Sequence, residues 1–524
     1  MNHMFTLLRS GVLFCLFVLT QRDATAITYT AIANGNYNSA ATWQGGIAPS
    51  YGLVNDAVVI PPGIKVTAGA NISITGVTGS ITINGDLVAT NYALHVSDAA
   101  MLGNGSIIVD SFSGSFPGQF DFNGTMSTNK LEIDFMMIMG NPTIDVAQVF
   151  YVSKSLNLNN GKINLTNGTI MKISGVQGNT VPAYLTVGGA GVLGLLAPYS
   201  VEYVGGSIES GVELNGPGLK NVTVDVGTGE EVKLMGNAKL QGGTLKLTSG
   251  TFNLNNHNLE FSASGDLDPS GSGEIKGGSS SDITVSSGSA ITGELKFTTG
   301  SNLVRKFIIN TNGSVKLGSD LRITTMVDFQ SGKIDVQNHK LSLITGATIN
   351  GAGSGSYVIT GNGGKLADDV GSGDTVTYHV GTQTTYAPCI ITSRSNTVYN
   401  GLTVGVNDGV KNTGSTGNII SNVQPLVNAT WFLENGTATT IDVDVELMWN
   451  AGMEVNSFDR TKSYITQLTG AMWDKQAGKA ATTSGNMYAM KRENVHSFTP
   501  MAVFDNTTVY VNNITGNNSV QLYP

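Results

Sequence analysis

The stretch from Thr244 to Phe261 constrains the fold more than any other, because it returns twice at long range. Its apolar residues come in pairs spaced by two, Leu245 and Leu247, Phe252 and Leu254, Leu259 and Phe261, with small or amide residues between the pairs. Alternation with period two places each pair on one side of a short strand, so the stretch reads as three half-buried strands joined by tight turns. The same spacing recurs downstream as Val327, Phe329, Ile334, Val336, Leu341 and Leu343, and upstream as Leu156, Leu158, Ile163, Leu165 and Ile170, failing there at Lys172. Turn residues recur with it. Ser249-Gly250 matches Ser331-Gly332 and Asn160-Gly161, and Asn255-Asn256-His257 matches Gln337-Asn338-His339.

Strands this short cannot bury a face alone. Stacked as coils they enclose a continuous apolar interior, each strand pairing with its equivalents above and below. A long repeat near 85 residues would then hold about four coils of roughly 20 residues each. Amide residues at equivalent turns are expected to stack as ladders. The pattern predicts an all-β chain, a right-handed parallel β-helix (solenoid) over residues 101–355. The Gly-rich breaks at Gly271 to Ser280 and Gly351 to Ser356 read as loops bulging from it.

The chain has 524 residues, too many for one ordinary core, and an elongated array accommodates them. Charged residues are only 12% while hydrophobic ones reach 40%, an ordered β composition rather than a disordered one. A net charge of -9, with no basic cluster interleaved with aromatics, argues against a nucleic-acid groove. At the N-terminus, His3 and Arg9 precede the apolar run Gly11 to Leu19, and Ala24-Thr25-Ala26 supplies small residues. This is the pattern of a secretory signal peptide over residues 1–26, cleaved near Ala26. Cys15 follows Phe14, not the small residue that a lipoprotein signal wants, which leaves Cys389 as the one cysteine of the mature chain and rules out an intrachain disulfide. No second apolar run is long enough for a membrane-spanning helix.

Residues 27–100 carry Trp43, Gly45, Gly46 and Pro49, then Asp56, Val58, Ile60, Pro61 and Gly63, followed by alternating Ile/Thr strands. This block resembles the N-terminal capping module of secreted parallel β-helix proteins of Bacteroidetes-type bacteria. A cap is also what an open solenoid end requires. In residues 356–425, the run from Thr377 to Pro388 resembles the element that closes such β-helices, with Tyr378 and His379 where that pattern favours Phe and Pro. Residues 426–505, with Trp431, Trp449, Trp473 and the ending Phe498 to Val503, resemble the β-sandwich module that precedes a type IX secretion sorting domain. Residues 506–524 form a polar linker, and Val520 to Pro524 resembles the opening of the sorting domain, implying a natural chain that continues beyond it. The resemblance implies export by the type IX machinery to the outer cell surface or beyond.

Chemistry is sparse. Asp266, Asp268 and Glu274 with Lys276, and Asp368, Asp369 and Asp374, are the carboxylate groups from which a polysaccharide lyase or hydrolase could draw acid and base, but both sets read as solvated loops. Asp442, Asp444 and Glu446 alternate on one strand and share a face, a geometry that could help bind calcium, though the wet side of a sandwich strand is the plainer reading. His257 and His339 sit at equivalent turns, as repeat architecture would place them. Trp43 could stack on a sugar but reads as cap packing. Asp374-Thr375-Val376 resembles a short bacterial O-glycosylation site at Thr375. No other cofactor is implied. The leading expectation is a non-enzymatic adhesin or structural rod that contacts extracellular carbohydrate or cell-surface components. The alternative is a carbohydrate-active enzyme or carbohydrate-binding protein on the same scaffold.

Overall fold

The computed structural model describes residues 25–508, apart from 116–118, 123–124, 139–141, 159–160, 179–184, 395–396, 437–439 and 471. Residues 1–24 of the expected signal peptide and the polar tail from residue 509 lie outside the described residues. The chain is nearly all β and forms a parallel β-solenoid of about 14 turns, with additional sheets near the C-terminus. No described helix is long and apolar enough to cross a membrane.

The repeating stretch forms the three strands expected of it, Thr244–Ser249, Thr251–Asn253 and Leu259–Ala263. Together they make one coil, and each pairs in parallel with the coils on either side. Leu259 stacks under Ile283, Phe307 and then Val327, all four fully buried. Parallel pairing in register repeats the inward set at every coil, so the interior is a set of aliphatic and aromatic columns running along the rod.

The columns correct one expectation. The copies of the repeat do not lie over one another strand for strand. Val327, the counterpart of Leu245 in sequence, stands three coils above Leu259, so the first strand of the later copy continues the third strand of the earlier one. The same happens below, where Leu245 stands three coils above Met171, through Val222 and Val201. The repeat is therefore one strand short of four coils. The upstream copy also departs from the pattern earlier than its sequence indicates. Ile170 is 37% exposed, while Met171 and Ile173 point inward, because the strand is offset by one residue and each side chain changes face.

The turns explain the amide residues. Asn255, Asn256 and Gln337 take positive φ values of 46°, 65° and 52°, a region in which asparagine is enriched. The backbone N–H of His257 donates to the Leu254 carbonyl and that of His339 to Val336, both at 2.7 Å, so the two histidines do occupy equivalent turns. Ladders form as well, but through the backbone. Asn237 Oδ1 accepts the N–H of Asn258, and Asn258 Oδ1 accepts that of Asp282, each at 2.9 Å. Of the two Gly-rich breaks, Gly271 to Ser280 is no loop: it contains the strand Glu274–Lys276 and the start of Gly278–Ser287, paired with neighbouring coils. Gly351 to Ser356 is a tight turn, closed by a bridge between Gly353 and Ser356. At Gly351 (φ 71°) a Cβ would stand 1.9 Å from the Phe329 carbonyl oxygen, so this approach admits only glycine.

Both ends of the stack are closed. At the N-terminal end Trp43 is 1% exposed, donates through Nε1 to the Tyr37 carbonyl at 2.6 Å and meets the Tyr37 ring edge to face at 5.4 Å. Packing, not sugar stacking, occupies it. At the other end the strand Lys365–Val370 pairs in parallel with Lys340–Leu343 and antiparallel with Tyr399–Asp408. The solenoid ladder passes there into a sandwich of antiparallel sheets. One sheet continues through Ala429–Glu434 and Met501–Asp505, and the other holds Thr375–Tyr378, Cys389–Ser393, Val443–Trp449 and Met487–Val495. These sheets draw strands from both sides of residue 426.

Candidate functional site

Of the carboxylates singled out in sequence, Asp266 and Asp268 lie on a coil edge and Glu274 on the next face of the rod. Asp266 accepts from the Thr292 backbone at 2.6 Å and from its hydroxyl at 2.7 Å, clamping the adjacent coil. Asp268 accepts from the Ser270 hydroxyl at 2.6 Å and backbone N–H at 2.8 Å, and these bonds hold its pKa below the ordinary Asp value. Glu274 pairs across the ladder with Thr251, and its neighbour Lys276 reaches Glu231 at 3.1 Å. Stacking adds two residues to this edge. Asp268 lines a cleft of about 220 Å³ together with Glu294 and Lys296 from the next coil. The sequence signal for these two is coil spacing alone, legible only once Leu267 is known to lie beside Gly293, whose N–H it accepts at 2.8 Å.

Asp368 and Asp369 lie on the strand Lys365–Val370 at the junction and not in a solvated loop. Burial, then the charge of Asp369, pushes the Asp368 carboxyl up to about 7. Asp369 accepts from Thr345 Oγ1 and from the Gly401 N–H at 2.6 Å, tying coil to sandwich. Thr375 is exposed on the strand Thr375–Tyr378, with Oγ1 3.0 Å from that of Thr392. Burial raises the pKa of the Cys389 thiol, which is fully buried.

The acidic run on Val443–Trp449 is not a uniformly wet face. Asp444 is buried, with Arg394 Nη1 at 2.9 Å, Lys491 Nζ at 2.8 Å and the Asn494 N–H at 3.2 Å. Burial raises its pKa, but the bonds from Lys491 and Arg394 outweigh that and hold it below the ordinary value. Both oxygens are thus taken by the chain's own cations. Asp442 sits 3.9 Å from Arg394 and from His496, and Glu446 faces Lys491 across the ladder. The three do not converge on a common point for calcium, and among the described residues no three His, Cys, Asp or Glu side chains are grouped to hold a metal.

Three concavities lie where the last coils meet the sandwich. A cleft of about 410 Å³ is lined by Lys316, Asp335 and Gln337 from the coils and by Asn362, Asn407 and Asp408 around the junction. A second, of about 440 Å³, shares Ile359 and Gln383 with it and extends over Ser314, Ser331 and Lys333. A third, of about 230 Å³, shares Asn407 and reaches Ser415 and Phe432. Gln337 donates through Nε2 to Glu294 Oε1 at 2.8 Å, linking the first cleft to the small one that holds Asp268. Glu294, Lys316 and Asp335 stand one above another on successive coils. The result is a polar groove that follows the coil stack. Its cations are largely committed: Lys316 faces Asp335 across the ladder, and Lys333 donates to the Tyr357 hydroxyl at 2.9 Å and lies 4.5 Å from that ring's centroid. Burial lowers the Lys333 pKa, and burial with the Asp408 charge pushes Tyr357 up to about 12.

Every phenylalanine, tyrosine and tryptophan whose exposure is described is buried or half-buried, so no fully exposed ring offers a flat platform for a sugar. The fold and site define a parallel β-solenoid passing into a β-sandwich, with a polar groove at the passage. No protein-family model, curated protein or solved structure matches the chain, so its function rests on the site itself.

Proposed function

We propose that the protein is a non-enzymatic display rod, an adhesin or structural component exported by the type IX machinery to the outer cell surface. The observation that carries this reading is the use of its carboxylates. Several of those on the coils accept from neighbouring coils, as Asp266 does from Thr292, or pair with lysines, as Glu260 does with Lys239 at 2.8 Å, and the bonds from Ser270 hold the pKa of Asp268 in the small cleft below the ordinary value. General acid catalysis needs a carboxyl of raised pKa beside the reacting bond. Among the described residues the two with raised values, Glu213 and Asp368, line none of the clefts described above. The signal-like N-terminus and the sandwich and tail resemblances support the export route. A glycan array combined with a reducing-sugar release assay on the full chain tests the reading: binding without release is expected, and release of sugar would sink it.

Glu294, Lys296 and Asp268 favour a second reading, hydrolysis or elimination on a polysaccharide, because they bring two acids and a base together from adjacent coils. On that reading Glu294→Gln abolishes sugar release while leaving thermal stability intact. The exposed Thr375 is proposed as an O-glycan acceptor. Intact mass of the protein purified from its native host would fall by a glycan's mass in Thr375→Ala.

A further inference from the structure

We infer that the groove along the last coils binds an extended, uncharged polyhydroxyl chain, a segment of neutral polysaccharide. The inference rests on the display reading, for which it supplies a non-catalytic contact. Shape comes first. The three junction clefts are joined through shared residues, Ile359 and Gln383 on one side and Asn407 on the other, and follow the stack of coils rather than closing round a compact ligand.

Chemistry selects the ligand. The side-chain amides of Asn362, Gln383 and Asn407 have no hydrogen-bond partner among the described residues. A carboxamide presents a donor and an acceptor side by side, as neighbouring sugar hydroxyls do. Gln337 is held ready in another way: both bonds of its Nε2, to Glu294 at 2.8 Å and to the Leu317 carbonyl at 3.0 Å, fix the amide and leave Oε1 to accept. Half-buried Phe432 supplies a short apolar strip for the C–H face of a sugar.

Charge excludes the acidic alternative. Lys316 and Lys411 share their cleft with Asp335 and Asp408, Lys365 is ion-paired with Glu434, and Lys333, committed to Tyr357, is offset by Glu294 beside Gln337. Such a groove carries no excess positive field to draw in a polyanion. With no exposed ring among the described residues, affinity has to come from hydrogen bonds summed over several sugar units, so long chains bind and single sugars do not.

Affinity gel electrophoresis of the full chain tests this, with galactomannan, xyloglucan and mixed-linkage glucan in the gel and polygalacturonate as the acidic comparison. Retardation by at least one neutral polymer and none by polygalacturonate is expected. The double variant Asn362→Ala/Asn407→Ala should weaken binding about tenfold, the loss of two neutral hydrogen bonds. Gln383→Ala, on an exposed side chain, is the second variant should the double one unfold, and it should weaken binding in the same direction. No retardation by any neutral polymer, a preference for polygalacturonate, or binding that both variants leave unchanged would overturn the groove. Release of reducing ends from a polymer that is bound would overturn the display reading and leave the groove standing.

Discussion

The solenoid and the sandwich bury similar residues but place their charges differently. On the coils, most ion pairs among the described residues join neighbours one coil apart at the surface, as in Lys239–Glu260 and Arg305–Asp282. In the sandwich the acids are more enclosed and the pairs follow no repeat: Arg394 and Lys491 on buried Asp444, Arg492 on Asp474 at 2.6 Å, Arg460 on Glu454 at 2.7 Å. Parallel stacking explains the first arrangement, because every coil repeats the facing of the last and a pair of outward residues simply recurs. Antiparallel strands far apart in sequence have no such repetition to set their register. There, specific charge pairs help to select the partner strand. One region is held by a repeated pattern, the other by named pairs.

The largest effect should come from breaking a column. Phe307→Ala removes a fully buried ring between Ile283 and Val327 and is expected to cost about 3–5 kcal/mol in denaturant unfolding. Because each coil touches only its neighbours, the transition should also split, with the sandwich melting at its former midpoint. A single unshifted transition would show that the two regions are not distinguishable in this way.

Asp444→Ala addresses the other side of the comparison and should cost roughly 1–3 kcal/mol, confined to the sandwich transition. The Asp444 pKa is lowered in the folded chain, so its contribution is present above the ordinary Asp value and lost as pH falls through the folded one. The variant's penalty should therefore fade in acid, and a penalty independent of pH would count against the charge pairing.

At the junction the sign reverses. Asp368 titrates at about 7 in the folded protein, so the fold holds a proton that the unfolded chain has released, and stability falls as pH rises from the ordinary Asp value through about 7. Asp368→Asn should stabilise by roughly 1–3 kcal/mol near pH 8 and by nothing below the ordinary Asp value. Melting curves across that range check it, and a gain that persists in acid would refute it. The smallest effect belongs to the coil surface: Glu260→Gln should shift stability by less than about 0.5 kcal/mol, and less still in high salt.

Much of the solenoid is legible in the sequence, since inward Leu, Ile and Phe at alternate positions leave few other folds. Strand direction, the burial of Leu245 to Phe261 and the turns at His257 and His339 follow from that pattern alone. The phase between copies does not. Nothing in Leu245 and Val327 as residues tells which face each occupies, because any of the three strands of a coil accepts the same aliphatic pair. Asp368 and Asp444 were misplaced for a related reason. Flanking Gly, Ser and alternating apolar residues suggested water on one side, whereas long-range antiparallel pairing brought Leu402 to one and Lys491 with Arg394 to the other. The groove was the least legible part, because Lys316, Asp335, Asn362 and Asn407 become neighbours only through stacking.

The missing strand in each long repeat turns each copy to a new face of the rod. A copied segment that falls one strand short of a whole number of coils rotates everything outside it by one face. A loop, a charge pair or a contact residue inherited with the segment then points to a different side of the rod from its parent. Duplication in such a chain winds its surface features into a spiral, so lengthening the rod widens the range of directions from which a neighbour can be met.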